Sequence, residues 1–230
     1  MQTQIHGTTL PVLEITLQPG ERVVAEGGEL SWMSANVTMR TTTGALGGGG
    51  VFGALRRAAG GSTIFLTEYT AQGGPGQISF ATHLPGQILP MDATPDGCMV
   101  HSHGFLCATG DVQLSVGFQQ RLRSGIFGGE GFVLQRVTGS GQFFVELSGE
   151  VVRRELGPGE QLLVHPGHIG YFSSRVGFDI TTIPGIANKL FGQDGVFLVR
   201  LTGPGTVLLQ SLTLAKLAAE IASYLPGRTG

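Results

Sequence analysis

Short apolar segments alternate with turn-forming glycine, proline and asparagine along most of this chain, at intervals of about ten residues. Val12–Leu17 and Asp111–Val116 alternate apolar and polar side chains, which is typical of strands that bury one face. Phe143–Leu147 is more continuously apolar, as in a strand with little exposed surface. The pattern predicts an all-β protein, either a sandwich or a barrel-like β-helix, without the crossover helices of a parallel sheet.

The C-terminus follows a different pattern. Apolar residues recur there at helical spacing: Leu214, Leu217, Ala218, Ile221 and Leu225. This spacing predicts an amphipathic helix at 213–225, capped by Thr213 or Ser211 and ended by Pro226-Gly227. The polar face is not rich in lysine and arginine, so the pattern favours a helix packed on the sheet or on a neighbouring subunit over one lying on a membrane.

Glycine-containing turns recur with a fixed period. The Gly-x-Gly turns lie about 65 residues apart, and each is followed by an apolar segment: Gly74-Pro75-Gly76, Gly139-Ser140-Gly141 and Gly203-Pro204-Gly205. A second marker precedes each of them: Pro19-Gly20-Glu21, Pro85-Gly86-Gln87 and Pro158-Gly159-Glu160. The period predicts one compact domain, 1–230, built from three pseudo-repeats at approximately 10–82, 83–150 and 151–212, followed by the helix.

The composition bears on assembly and location. Only 13% of the residues are charged, against a usual level of about 25%, so we expect part of the uncharged surface to be covered by other subunits in a cyclic dimer or trimer. The net charge of −2 gives no electrostatic footprint for DNA. Two cysteines are too few for a disulfide framework, and neither a leader peptide nor a transmembrane run is evident, so the chain is expected in the cytoplasm.

The segment from Gly44 to Gly61 is rich in glycine and carries Arg56-Arg57 among apolar residues. It is an insertion that the other two repeats have only in shorter form. A mobile loop, a subunit contact and a shallow, peripheral membrane contact all remain open. Gly48–Gly53 matches G-x-G-x-x-G, but no strand-to-helix context supports a phosphate site, and so many glycines produce the match by chance.

Two histidines form the most serious candidate for a metal site. His101 and His103 would point to one face of a strand, as the paired histidines of cupins do. The first acid after them is Asp111, so the carboxylate that a cupin needs nearby is missing, although more distant histidines could complete a site: His83, His165 and His168. We therefore expect no resident metal, no cofactor and no catalytic residue, with His101 and His103 as the candidate ligands should a metal bind.

Other polar residues have simpler explanations. Gly139-Ser140-Gly141 lacks the context of a nucleophile elbow, and proline replaces the serine in the other repeats. Ser62, Glu130 and Asp194 are related by the triplication, either as turn residues that accept backbone hydrogen bonds or as the lining of a shared pocket. Cys98 and Cys107 could be buried apolar residues or soft metal ligands, and the former is commoner.

Several motifs together resemble the altered-inheritance-of-mitochondria family, over nearly the whole chain. They are Phe127–Phe132 with its echo at Phe191–Phe197, the Pro-Gly-Glu turns, Leu30–Met33, the glycine-rich segment before Phe65, and Val207–Ser211. The resemblance implies a fold like the tryptophan-RNA-binding attenuation protein (TRAP), in which short double-stranded β-helix units repeat and assemble in rings. It implies an association with organelle biogenesis for mitochondrial members, and no activity or functional residue for bacterial ones.

These observations predict a non-catalytic binding or scaffold protein that acts through an oligomeric β assembly with an unidentified ligand or protein partner. One alternative is a metal-dependent, cupin-like enzyme that uses His101 and His103. The other is a ring protein that binds single-stranded RNA, although a net charge of −2, one tryptophan and three tyrosines give it few groups for phosphate contact and base stacking.

Overall fold

The structure is a computed structural model that describes residues 1–43, 64–120, 132–182 and 197–225. Its described residues form eighteen strands, one short 3-10 helix at Pro166–His168 and one α-helix, α1, at Leu214–Tyr224. All the described strand pairings are antiparallel. The prediction of an all-β protein with a C-terminal helix is therefore confirmed.

The first seven strands, all before residue 82, are β1 (Gln2–His6), β2 (Val12–Leu17), β3 (Arg22–Glu26), β4 (Trp32–Met33), β5 (Val37–Thr43), β6 (Phe65–Ala71) and β7 (Gly76–Ala81). The next five are β8 (Gly86–Ala93), β9 (Cys98–His101), β10 (Phe105–Thr109), β11 (Asp111–Gln120) and β12 (Phe132–Ser148). The last six are β13 (Val151–Leu156), β14 (Gln161–Val164), β15 (Ile169–Ser173), β16 (Gly177–Thr182), β17 (Phe197–Thr202) and β18 (Gly205–Gln210).

One pairing scheme recurs along the chain. Near the N-terminus, β7 lies between β2 and β4, and β3 pairs with β6. The second half of β12 likewise lies between β8 and β10, while its first half pairs with β9 and β11. Near the C-terminus, β18 lies between β13 and β15, and β17 pairs with β14 and β16. The division at 10–82, 83–150 and 151–212 remains a prediction.

Glycine identifies the corresponding turns. Gly20 before β3, Gly97 before β9 and Gly159 before β14 have φ values of +86°, +79° and +76°, a conformation that favours glycine because it lacks a Cβ. In the middle stretch of the chain, 83–150, the sequence marker is Pro85-Gly86-Gln87, but Gly86 begins β8. The turn that corresponds to those of Gly20 and Gly159 is therefore the one that contains Gly97. The dipeptide Pro-Gly was a sound turn signal, but in the middle stretch it lies one strand too early.

Three clusters of buried apolar side chains form the core. The first is built from β2, β3, β6 and β7 and is closed by residues of the middle stretch, Ile88, Leu106, Cys107 and Phe144. The second is built mainly from β9 to β12, with Val24 contributed from the N-terminal side and Leu208 from the C-terminal side. The third combines the C-terminal strands with Phe132 and Leu134 of β12. Each stretch of chain therefore completes the core of its neighbour.

The 17-residue strand β12 joins these clusters because both of its faces are buried. Phe143 belongs to the second cluster and Phe144 to the first, since adjacent residues of a strand point to opposite faces. Burying an aromatic side chain of this size contributes about 2–3 kcal/mol, so the continuous apolar run here stabilises two cores at once.

The helix α1 begins as predicted, with the Thr213 hydroxyl accepting a hydrogen bond from the backbone amide of Lys216 at 3.2 Å. None of its residues is buried. Leu214, Ile221 and Leu225 on the predicted apolar stripe are exposed, so the described chain does not cover the stripe with its own sheet. No helix of the described residues is long and apolar enough to cross a membrane.

Candidate functional site

The predicted histidine pair does not have the expected strand geometry. His101 ends β9, and His103 lies in the turn that follows, with ring centroids 5.7 Å apart. The backbone amide of His103 donates to Nδ1 of His101 at 3.3 Å. His101 keeps some exposed surface, yet burial of its imidazole, helped by His103, lowers its pKa to about 4 and keeps it neutral at pH 7. Among the described residues no carboxylate joins this pair as a third ligand.

The other residues considered from the sequence are placed elsewhere. Asp111 begins β11 and accepts a hydrogen bond from Arg22 at 3.1 Å. His168 lies in the 3-10 helix, with Nδ1 2.7 Å from the carbonyl oxygen of Gln210 and Nε2 3.0 Å from Nζ of Lys216. Ser62, Glu130, Asp194 and the segment from Gly44 to Gly61 lie outside the described residues.

Both cysteines are free and buried, as expected of small apolar core residues. Cys98 is in the second core cluster and Cys107 in the first. Burial raises the pKa of Cys98 to about 12 and that of Cys107 well above its usual value, so neither thiol is a ready nucleophile or metal ligand at neutral pH.

The structure instead brings together a group that we call the acid–histidine cluster: Glu29, His83 and Glu146. Their ligand atoms all lie within 4.8 Å of one another, and no other such group of three or more metal-ligating side chains occurs in the described part of the chain. Nδ1 of His83 is 2.7 Å from Oε1 of Glu146, and Nε2 is 3.7 Å from Oε2 of Glu29. The imidazole therefore lies between two carboxylates, with one ring nitrogen toward each.

The cluster forms where the first two stretches of the chain meet. Glu29 lies between β3 and β4, and His83 lies between β7 and β8. Glu146 is on β12, between the buried residues Val145 and Leu147, so alternation turns its side chain to the face that Phe144 shares. Its backbone amide donates to Gly104 at 2.9 Å. Two carboxylates and one imidazole thus meet at the rim of the first core cluster.

Enclosure sets the protonation of this cluster. Burial raises the pKa of Glu29 to about 7, against an attraction to His83 and with added repulsion from Glu146 and Glu26. Oε2 of Glu29 is buried without a hydrogen-bond partner. The hydrogen bond to Glu146 raises the pKa of His83, which favours the imidazolium. Glu26, whose own pKa burial raises, accepts a hydrogen bond from Gln135 beside the cluster.

A single metal ion would need the cluster to rearrange. Carboxylate oxygen and imidazole nitrogen suit several divalent metals, but an ion held by one ring nitrogen of His83 would face only one of the two carboxylates. The arrangement as described is a charge-paired imidazole. Two hollows of the described surface, each about 400 Å³, are lined by residues other than those of the cluster.

Two strand edges form a second feature. β4 ends one sheet and pairs only with β7, and β14 ends another and pairs only with β17 in the described part of the chain. Each edge carries an exposed apolar side chain, with Trp32 55% exposed on β4 and Leu163 51% exposed on β14. Such edges offer unpaired backbone groups and apolar area to another strand.

Elsewhere in the chain the corresponding edges are paired. β10 pairs with β3, so that Cys107 is opposite Ala25 and Ala108 is opposite Val24. β15 pairs with β9 in the same way, which places Tyr171 opposite Val100 and Phe172 opposite Met99. We call these two pairings the internal junctions.

Comparison with known proteins gives one family and no assigned activity. An uncharacterised protein of Streptococcus pyogenes serotype M6 is 26% identical over 220 residues, which cover 94% of this chain and 87% of the relative. A crystal structure of a Streptococcus pyogenes protein from a structural genomics consortium has a TM-score of 0.75 and 25% identity, over 97% of this chain and 99% of that one. The family model for mitochondrial biogenesis AIM24 matches residues 3–212, a range that reaches from β1 to the end of β18. This chain therefore belongs to the mitochondrial biogenesis AIM24 family.

Proposed function

We propose that this protein is a non-catalytic binding or scaffold protein whose working surface is created when copies of the chain assemble. The observation that carries the proposal is the apolar surface left uncovered on β4, β14 and α1. A chain with only 13% charged residues has few charges to keep such surface soluble, so covering it by association is favourable.

The recurring pairing scheme supports an architecture of three TRAP-like β units in one chain. Such units bury their faces only against neighbours, so the first and last would each present an incomplete face to another copy. We place the assembly in the cytoplasm, where the unpaired state of Cys98 and Cys107 is the expected one.

Light scattering over a range of concentrations tests the proposal. We expect a mass of two or three times the 24.0 kDa of one chain, because a cyclic dimer or trimer can cover the apolar edges of β4 and β14 in every copy. A mass of one chain that does not change as the concentration rises would remove the basis of the proposal.

Binding of a divalent cation is a second candidate, favoured by Oε2 of Glu29, which is buried without a hydrogen-bond partner and lies 3.7 Å from Nε2 of His83. Zn²⁺ would be added to purified protein and counted by elemental analysis after gel filtration. We expect less than one bound ion per chain, because His83 already pairs with both carboxylates. One ion per chain that is lost in the Glu29→Gln and His83→Ala variants would establish the cation site and contradict that expectation.

The two earlier alternatives remain separable by experiment. A cupin-like enzyme would lose its bound metal in a His101→Ala, His103→Ala double variant and keep it in His83→Ala. Three of the twelve arginines, Arg22, Arg153 and Arg200, each contact a carboxylate, which weakens their attraction for the phosphates of RNA. Fluorescence titration with poly(U) would reveal it as a salt-dependent change.

A further inference from the structure

The glycine turns give a common frame in which the edge strands β4, β10 and β15 can be compared. The third residue after Gly141 is Phe144, which is opposite Cys107, and the third residue after Gly205 is Leu208, which is opposite Tyr171. The third residue after Gly76 is Ser79, and it is opposite Trp32. Trp32 therefore holds, on β4, the place that Cys107 and Tyr171 hold on β10 and β15.

The partner strand can be matched in the same way. Pro-Gly-Glu precedes both β3 and β14, so Leu163 is the third residue of its strand, as Val24 is of β3. In the internal junction Val24 is only 2% exposed, and Cys107 is 0% exposed. Leu163 and Trp32 occupy the matching places and are about half exposed. These two side chains mark a third junction that the described residues of one chain leave open.

We propose that β4 of one copy pairs with β14 of a second copy, in the antiparallel register of the β10–β3 junction. There Cys107 is opposite Ala25, the fifth residue after Gly20, whereas in the β15–β9 junction Tyr171 is opposite Val100, the third residue after Gly97. Trp32 is then opposite Val164, Met33 is opposite Leu163, and Ser34 is opposite Leu162. This inference rests on the proposed assembly and specifies the surface that it uses. The contact joins different edges of the two copies, so it closes as a ring of two or more chains in which every copy has both edges covered.

The second copy is the occupant that continues the observed pattern. Joining the β1–β2–β7–β4 sheet to the β14–β17–β16 sheet gives β2–β7–β4–β14–β17–β16, which matches the order β8–β12–β10–β3–β6–β5 found inside the chain. Leu163 would then be covered as Val24 is. No pairing between β4 and β14 exists within the described chain, so a neighbouring copy is the source of the missing strand.

Disulfide trapping between two single variants tests the register. Met33→Cys and Leu163→Cys are prepared separately, mixed, allowed to exchange and oxidised with oxidised glutathione. Directly opposite residues of antiparallel strands have Cβ atoms about 4.5–5.5 Å apart, close enough for a disulfide after small shifts. We expect a cross-linked dimer that contains one chain of each variant, and none when either variant is oxidised alone.

The control uses Met39, an exposed methionine before residue 82, so that Met39→Cys is mixed with Leu163→Cys; Met33 itself is half-buried against the first core cluster. Cross-linking of the control to the same extent, or dimers formed by Met33→Cys alone, would overturn the register. An intrachain disulfide in the Met33→Cys, Leu163→Cys double variant would show that the strand comes from the same chain.

A charge at the edge gives an independent readout. Leu163→Glu should raise the dissociation constant by about 100-fold or more, because it buries an unpaired carboxylate at the centre of the contact. If wild-type protein is oligomeric and the Leu163→Glu variant has the same oligomeric mass, the assembly is supported but this junction is refuted. Monomeric wild-type protein would instead refute the assembly on which the junction depends.

Discussion

Glu29 has a carboxylate that titrates near neutrality because the fold encloses it next to Glu26 and Glu146. Its pKa is raised from 4.5 to about 7. Between pH 4.5 and about pH 7, the folded protein therefore retains on Glu29 a proton that the unfolded chain has released. The stabilisation from that proton is complete below pH 4.5 and is lost as the pH rises through about 7.

Removing this carboxylate should flatten the pH dependence of stability. We expect Glu29→Gln to raise the free energy of unfolding at pH 8 by about 1–2 kcal/mol, allowing for solvent screening, and to leave it nearly unchanged at pH 4.5. Urea denaturation at both pH values measures this. His83 retains Glu146 in the variant, so its raised pKa still contributes stability below pH 6.5 that is lost at higher pH.

Glu220→Gln is the matched control, since Glu220 lies on the exposed helix α1. If Glu29→Gln and Glu220→Gln lose stability in parallel between pH 4.5 and pH 8, the account of an enclosed Glu29 is wrong.

The acid–histidine cluster could not be read from sequence spacing. His83 was one possible ligand among several, but Glu146 is 63 residues away and Glu29 lies in an irregular connection. They meet because β12 pairs with β8 in one particular register, and no local pattern encodes that register. His101 and His103 were expected to share one face of a strand, but β9 ends at His101 and His103 lies in the turn that follows.

At the scale of single elements, α1 contributes little to the core. Its apolar stripe is exposed, and its described side-chain contact with the β structure is that of Lys216 with His168. Truncation after Leu212 should therefore change the melting temperature of the β domain by only a few degrees, measured by circular dichroism.

The same truncation tests the helix as an interface. A reduced mass in light scattering with a preserved melting temperature would place the stripe in a subunit contact. Loss of soluble protein would contradict the observation that the helix is peripheral to the core.

The glycine-rich insertion is predicted to be separable from the fold. β5 and β6 are paired from Val37↔Ala71 to Thr43↔Phe65, so their ladder joins the two ends of the connection that holds the insertion. We expect deletion of Gly47 to Ala58 to leave soluble protein with a native circular dichroism spectrum. If it abolishes soluble expression, whereas matching changes in surface turns do not, the segment is structural. Flotation with anionic vesicles then tests the membrane alternative.

Most strands and the helix could be predicted from the sequence, because alternating apolar residues and glycine-containing turns mark the strands. Val12–Leu17 and Asp111–Val116 lie in β2 and β11 as predicted, and the helical spacing from Leu214 gave α1. What sequence could not supply was which strands are neighbours. The marker at Pro85-Gly86-Gln87 shows this, since it lies at a strand start and not at the turn that Gly97 makes.

At the scale of the whole molecule, each of the three core clusters contains side chains from neighbouring parts of the chain. Phe144 and Cys107 close the first cluster, and Leu208 contributes to the second. The same arrangement leaves β4 and β14 each with one unpaired edge in the described chain. Low charge in the sequence predicted that surface would be covered, but only the strand register identifies which surface.

Trp32 makes that claim directly measurable, because it is the only tryptophan of the chain and lies on the open edge. The decisive measurement is its fluorescence emission as wild-type protein is diluted from high to nanomolar concentration, with Leu163→Glu as the reference for an uncovered edge. We predict emission at shorter wavelength in the concentrated sample, shifting on dilution toward the spectrum of Leu163→Glu as copies separate. The opposite result is a wild-type mass that falls on dilution in light scattering while the emission spectrum stays the same at all concentrations and equals that of Leu163→Glu. That result would contradict the account.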